Sequence, residues 1–224
     1  MPRQKESYNL YPPLTVDNVH LDKSSCVKYL GVYIDCHLTW HDHIDYICGK
    51  ISKNVNIMVK LKHHVSEATL VSLYYSLIYP YLTYACTLWG NNYNAPLSQI
   101  VKLQNKAVRV INDVPLMKPI TLHYLSLHLL KFSDIVKLNT CMLFYDYFHH
   151  EKFPNISVSL VSELHNYNTR SASSNQIFIP SFRTNRRRFC PTIIGCFFWN
   201  HIPFIRDKPS KKIFRKALLR WYLA

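Results

Sequence analysis

Glycine is scarce in this chain, four in 224 residues, and none of the four builds a phosphate-binding glycine loop or a Gly-x-Ser-x-Gly turn. Acids are scarce as well, 13 Asp and Glu against 27 Lys and Arg. No two aspartates are adjacent, so the paired carboxylates that two-metal catalysis needs are missing. The nearest approach, Asp42 with Asp45, reads as acids favoured by the dipole at a helix N-terminus. The seven cysteines (26, 36, 48, 86, 141, 190 and 196) contain no Cys-x-x-Cys. That spacing suits reduced core cysteines of an intracellular protein better than a disulfide framework or a zinc site. Twelve histidines include His41-x-His43, His63-His64 and His149-His150. No third and fourth ligand follows at zinc-like spacing, and most are expected on the surface or in loops. No apolar run reaches the roughly 18 residues of a spanning helix, since Leu70 to Leu88 is broken by Pro80 and polar residues. Met1 to Leu21 is polar and proline-bearing, without the apolar core of a signal peptide. The expectation is a protein with no membrane segment, no metal site and no enzymatic centre of its own.

What is present is a folded composition with a strong charge. Hydrophobic residues make up 48% and aromatics 14%, enough to bury a core rather than leave the chain disordered. The formal charge is +14, which points to a polyanionic partner. Between Arg183 and Arg220 stand eleven basic residues against one acid, Asp207, so most of the excess lies in the last fifth.

Val27 to Ile44, VKYLGVYIDCHLTWHDHI, is the most informative stretch. Leu30, Val32 and Ile34 alternate with Tyr29, Gly31 and Tyr33, as in a strand covered on both faces. Gly31 inside it marks a bulge or a close backbone approach. With Leu14 to Leu21 and the tetrad Asp22-Lys23-Ser24-Ser25, the pattern predicts one β-hairpin closing at Asp35. A helix follows from about His41 to Leu61, with Ile44, Ile47, Ile51, Val55, Met58 and Leu61 on one stripe and Lys50, Lys53 and Lys60 off it. Ser66 is placed as the N-cap of a second helix that Pro80 ends or kinks. Asn91 to Pro96 reads as a loop, Ser98 to Ile111 as a third helix, and Ser133 to about His149 as a fourth. Glu151 to Ser181 is polar, with a short strand at Ile177 to Ile179. A last helix from Ser210 carries Ile213, Phe214, Ala217, Leu218 and Trp221 on one face. The fold class is α+β, mostly α.

The order K-Y-L-G-V-x-I-D-x-x-L-T-W-x-x-H-I resembles the segment after the catalytic palm in reverse transcriptases of LINE-type (non-LTR), jockey-like retrotransposons. YYSLIYPYLTYACTLWG (Tyr74 to Gly90) resembles that family's L-Y-x-S-L-I-x-P-x-L-x-Y-x-x-x-x-W-G block. LQNKAVRVI (Leu103 to Ile111) resembles its next helix, LHNYNTRSAS (Leu164 to Ser173) its H-x-Y-x-T-R signature, and Phe197 to Leu223 its closing L-W-N-x-L-P segment with a basic helix. Five blocks in order carry the resemblance. The family's Tyr-Ala-Asp-Asp box and upstream endonuclease are absent.

The resemblance implies a palm-edge, primer-grip-like hairpin (1–36), a thumb-like helical bundle (37–112), a helical connector with a polar loop (113–175) and a basic C-terminal helical module (176–224). Carried over, the primer-grip residues are Lys28, Tyr29, Leu30 and Gly31. Gly31 permits close backbone approach and Lys28 meets phosphate, whereas Leu30 is expected in the core. Trp40 is expected to pack at the helix entrance. Lys50, Lys53 and Lys60 are candidates for a nucleic-acid groove. Arg183, Arg186, Arg187 and Arg188 beside Phe182 and Phe189 combine a polycation with aromatics, suited to phosphates and bases or to a nuclear-localisation-like run. Lys211, Lys212, Arg215 and Lys216 suit phosphates too, or simply solubilise a terminal helix. Tyr167, Thr169 and Arg170 belong to the signature without a physical role. The implied partners are template–primer RNA and DNA. No cofactor is implied, because a divalent metal would require the palm. A co-opted nucleic-acid-binding protein and a relic without function remain open alternatives.

Overall fold

Two dipeptides in left-handed backbone fold the first strands back on themselves. In the computed structural model, which describes residues 14–150, 158–164, 167, 169–202 and 210–223, β1 (Thr15–Val16) pairs antiparallel with β2 (Val19–His20) around Asp17 and Asn18, at φ 51° and 61°. Next, β3 (Cys26–Tyr29) pairs with β4 (Val32–Asp35), in register from Cys26↔Asp35 to Tyr29↔Val32. Leu30 and Gly31 form its turn at φ 46° and 82°. Two positive φ values in a two-residue loop match the right-handed twist of the flanking strands.

This corrects the single hairpin expected from sequence. Each half is its own hairpin, and Asp22 to Ser25 links them. The alternation across Leu30 and Gly31 is therefore broken by a turn. Leu30 is 72% exposed rather than in the core, and Tyr29 is exposed beside it. The Leu-Gly pair hides its turn because only one of the two residues is a typical left-handed former. Residues 1–13 lie outside the described region.

The helices follow in order. Four come first: α1 (His41–Leu61), α2 (Glu67–Leu77), α3 (Tyr79–Thr83) and α4 (Cys86–Trp89). Next are α5 (Asn94–Ile111), α6 (Thr121–Ser126) and α7 (Phe132–His150). The rest are α8 (Val161–Leu164), α9 (Arg170–Ser173), α10 (Asn185–Arg188), α11 (Pro191–Asn200) and α12 (Lys211–Leu223). The mostly helical α+β class holds.

α1 keeps its expected bounds and buries Ile44, Ile47, Ile51, Val55 and Met58. Ser66 caps α2, accepting from the Thr69 N–H at 3.3 Å. Pro80 opens α3 after a break at Ile78, because proline fits the first turn of a helix and not its interior. α5 starts at Asn94 rather than Ser98. Pro96 sits in that first turn, where its missing N–H would have no intrahelical partner. Between Glu151 and Ser181 the described part holds α8, α9 and one antiparallel bridge, Leu160↔Ile177. Thr169 caps α9 by accepting from the Ala172 N–H at 3.2 Å, which gives the Thr of the signature a physical role.

α7 is the hub. α3, α4, α11 and α12 all pack on it, while α5 packs on α1. One continuous cluster of buried side chains runs from Ile44 to Leu218. Phe214 of α12 stacks on Tyr145 of α7 at 4.6 Å, and Trp199 of α11 stacks on Phe148 at 5.1 Å. Phe214 and Leu218 are the buried residues of α12, whereas Ile213 and Trp221, expected on the same face, stay half exposed. Gln104 on α5 cross-links the bundle at zero exposure. Its amide donates to the Tyr74 hydroxyl at 2.8 Å and the Leu130 carbonyl at 2.9 Å, and its oxygen accepts from the Phe132 N–H at 2.8 Å. With every polar atom of the amide used, this residue fixes register inside an apolar core.

Candidate nucleic-acid interface

Tyr46, on α1, sits four residues before Lys50, so helical geometry places the two side chains side by side. The Lys50 ammonium lies 5.4 Å from the Tyr46 ring centre. Lys28 of β3 lies 5.4 Å from the same ring and 5.4 Å from that of Tyr33. The Tyr33 and Tyr46 rings are tilted against each other at 5.1 Å. Ammonium groups at this range are held by the ring quadrupole while staying wet. The hairpin lysine and the helix lysine thus share one aromatic anchor. Lys53 and Lys60 are exposed further along α1. Positions 50, 53 and 60 fall within about 80° of one another on a 3.6-residue helix, so the three form one basic stripe. Tyr29, Leu30 and Gly31 are exposed at the hairpin tip.

Hairpin and helix are joined by a loop that Asp35 organises. Its buried carboxylate accepts the backbone N–H groups of His37 and Thr39 at 3.0 Å and of Trp40 at 2.7 Å. Burial works against ionisation of Asp35, but the N–H groups of Thr39, Trp40 and His37 outweigh it and hold the carboxyl below its usual range. Leu38 and Trp40 are both left-handed, at φ 53° and 64°. Trp40 packs against the core at the start of α1, as expected. Sequence reasoning makes Asp35 a strand end and misses this role. The signal that identifies it is an Asp a few residues before a helix start, a position from which a carboxylate can cap backbone donors.

Arg183 and the α10 residues Arg186, Arg187 and Arg188 are exposed, with Thr184 capping the short helix by accepting from the Arg187 N–H at 3.4 Å. None of the four takes part in the ion pairs found among the described residues. Phe189 turns inward and meets Tyr93 edge to face at 5.0 Å. On α12, Lys212, Lys216 and Arg220 are exposed. Lys211 pairs with Asp146 of α7, and Arg215 faces Tyr79 across a shared surface pocket, where its positive charge opposes the rise that burial imposes on the Tyr79 hydroxyl. The structure brings Lys28 and Lys50 together and places Lys211 and Arg215 against the fold.

Among the described residues, the buried cysteines lack the setting of a nucleophile. None of the seven cysteines forms a disulfide. Burial pushes the Cys86 and Cys141 thiols up to about 12, and those of Cys48 and Cys196 up to about 11. Cys36 is exposed and Cys26 and Cys190 are half-buried, so the core expectation holds for four of the seven. His43 departs from the surface expectation. It is buried against the edge of Trp89, 5.4 Å between ring centres, and its Nδ1 accepts from the Tyr33 N–H at 3.3 Å. No group of three or more metal-ligating side chains occurs among the described residues, and no helix there is long and apolar enough to cross a membrane.

Comparison with known proteins bears out the resemblance to non-LTR reverse transcriptases. Over 121 residues the chain is 31% identical to the probable RNA-directed DNA polymerase from transposon BS of Drosophila melanogaster, covering 52% of this chain and 13% of that protein. Over 103 residues it is 26% identical to the probable RNA-directed DNA polymerase from the X-element transposon of Drosophila melanogaster, covering 45% of this chain and 11% of that one. Over 107 residues it is 28% identical to the RNA-directed DNA polymerase from mobile element jockey of Drosophila funebris, covering 46% and 12%. The matched region thus spans little more than a tenth of each of these relatives. No protein-family model and no solved structure matches the chain.

Proposed function

We propose that this chain is the nucleic-acid-holding part of a non-LTR retrotransposon reverse transcriptase, the part that follows the catalytic palm. In this reading the β3–β4 hairpin is the primer-grip-like tip and α1 the thumb helix. Lys28, Lys50, Lys53 and Lys60 meet the phosphates of a template–primer duplex, and Arg183 with Arg186 to Arg188 add a second basic surface. The observation that carries the reading is the meeting of Lys28 and Lys50 over the Tyr46 ring, which makes one surface of the hairpin in the first resembling block and the helix that follows it. The charge of +14 supports a phosphate-bearing partner.

Alone, the chain binds and does not polymerise, because no carboxylate pair holds the two metals that stabilise the transferring phosphoryl group. The test joins duplex binding at two salt concentrations with primer extension in magnesium or manganese. Affinity should fall steeply with salt and no nucleotide should be added. Salt-independent binding overturns the phosphate surface. Template-dependent incorporation that survives Asp42→Ala with Asp45→Ala overturns the binding-only role.

A further inference from the structure

Three stretches far apart in sequence enclose a cavity of about 350 Å³: the 37–41 loop, the 88–93 corner and the α10–α11 junction. Its volume falls within the roughly 300–1,000 Å³ of small-molecule sites. Trp40, Tyr93 and Phe189 supply aromatic walls, Leu88 an aliphatic one, and Thr39 and Arg186 polar edges. We infer that this cavity receives one unpaired nucleobase of a single-stranded nucleic acid, with the flanking phosphates on Arg186 and its arginine neighbours.

Four observations converge on that occupant. The walls are aromatic, and every nucleobase has a face that stacks on such rings. Arg186 lines the cavity, and Arg183, Arg187 and Arg188 are its near neighbours in the chain; all four are exposed and take part in none of the ion pairs among the described residues. A polyanionic strand complements that edge, whereas an apolar peptide or lipid chain would leave four cations unmatched. The wall is preorganised, since the Asp35 carboxylate holds three backbone N–H groups of the loop and Asn92 donates to the Thr39 carbonyl at 2.8 Å. Finally, Leu38 and Trp40 keep strained left-handed backbone at this wall; strain of this kind collects where a structure holds a ligand in place.

The inference rests on the nucleic-acid-binding reading above and adds a base to the phosphates. It is tested with the full chain and short strands of equal length: oligo(dT), oligo(U), their abasic counterpart, and a blunt duplex. Base-bearing strands should bind at least about fivefold tighter than the abasic strand, the lower end of what one stacked base contributes. Phe189→Leu keeps the apolar volume and removes the stacking face, and Leu88→Trp fills the cavity from its rim. Both variants should abolish the base preference while leaving abasic and duplex binding unchanged and the thermal melt close to that of the parent. Arg186→Gln should weaken all strands alike. A preference seen with only one of oligo(dT) and oligo(U) supports the cavity and narrows its occupant to that nucleotide, through the base methyl group or the sugar. Equal binding of base-bearing and abasic strands by the parent overturns the cavity assignment and leaves the phosphate reading standing. So does a base preference that both Phe189→Leu and Leu88→Trp retain. Failure to bind any strand or duplex overturns the reading beneath it.

Discussion

The Tyr84 hydroxyl donates a hydrogen bond to the carbonyl of Leu30, joining the hairpin tip to the break between α3 and α4 across 54 residues of sequence. The bond is available because Leu30 and Gly31 are a turn, so the Leu30 carbonyl is not used by a neighbouring strand. A Cβ added to Gly31 would lie 3.6 Å from the Tyr84 ring, an ordinary contact. The glycine is needed for its backbone rather than for space.

Gly31→Ala should therefore destabilise by about 1 kcal/mol, the left-handed penalty less the entropy gained in the unfolded chain. Gly31→Asn should cost less, since Asn tolerates this region. Tyr84→Phe should cost about 1 kcal/mol or less for one hydrogen bond at the surface. Denaturant unfolding measures all three, and an unchanged midpoint for Gly31→Ala would contradict the turn.

Gly195 on α11 makes the opposite case. A Cβ there would stand 2.0 Å from the Phe144 ring, which is buried in the core. Helix propensity alone favours Ala over Gly by about 1 kcal/mol, yet Gly195→Ala should lower stability by about 2 kcal/mol through overpacking. Adding Phe144→Leu should recover part of that loss. A double-mutant cycle in thermal unfolding checks the coupling, and additive effects would rule out the close approach.

Burial holds the His43 imidazole below its ordinary value of 6.5. The folded chain therefore prefers neutral His43, while the unfolded chain takes up a proton as pH falls through 6.5. Stability should be full above that pH and decline as pH drops toward the lower folded value. Protonation also removes the Nδ1 lone pair that accepts from Tyr33. His43→Asn should flatten the difference in unfolding free energy between pH 7.5 and 5.5. Parallel slopes for parent and variant would assign the acid sensitivity to other groups.

Changing Lys50, Lys53 and Lys60 together to Gln should weaken duplex binding and reduce the salt slope by about 0.9 for each phosphate that a lysine no longer neutralises. Stability should move by about 1 kcal/mol at most, from the single cation–ring interaction of Lys50. Binding isotherms at several salt concentrations and circular dichroism melts check both. An unchanged slope would leave this stripe idle.

The long helices and their buried stripes are legible in the sequence because their periodicity is local: Ile44, Ile47, Ile51, Val55 and Met58 lie inward as their spacing says. Ser66 and Pro80 mark boundaries through their own backbone chemistry. α11 is hidden from such reading, being apolar nearly all round, a pattern with no helical stripe. The basic run of α12 is legible, but its double role is not. Lys211 and Arg215 turn to Asp146 and Tyr79 of other helices, and Phe214 completes the core. Deleting residues 183–224 would accordingly remove core as well as charge, which makes substitution the sounder test.

By itself the sequence determined the mostly helical class, the stripe of α1, the concentration of positive charge and the likeness to RNA-directed DNA polymerases, all of which depend on residue type, order and spacing. Tertiary structure alone decided that Lys28 and Lys50 share the Tyr46 ring and that loop, corner and α10 enclose one cavity. Those relationships join residues tens to well over a hundred positions apart. They follow from how α1, α5 and α7 pack, and no local pattern encodes the distance between side chains that only packing brings together.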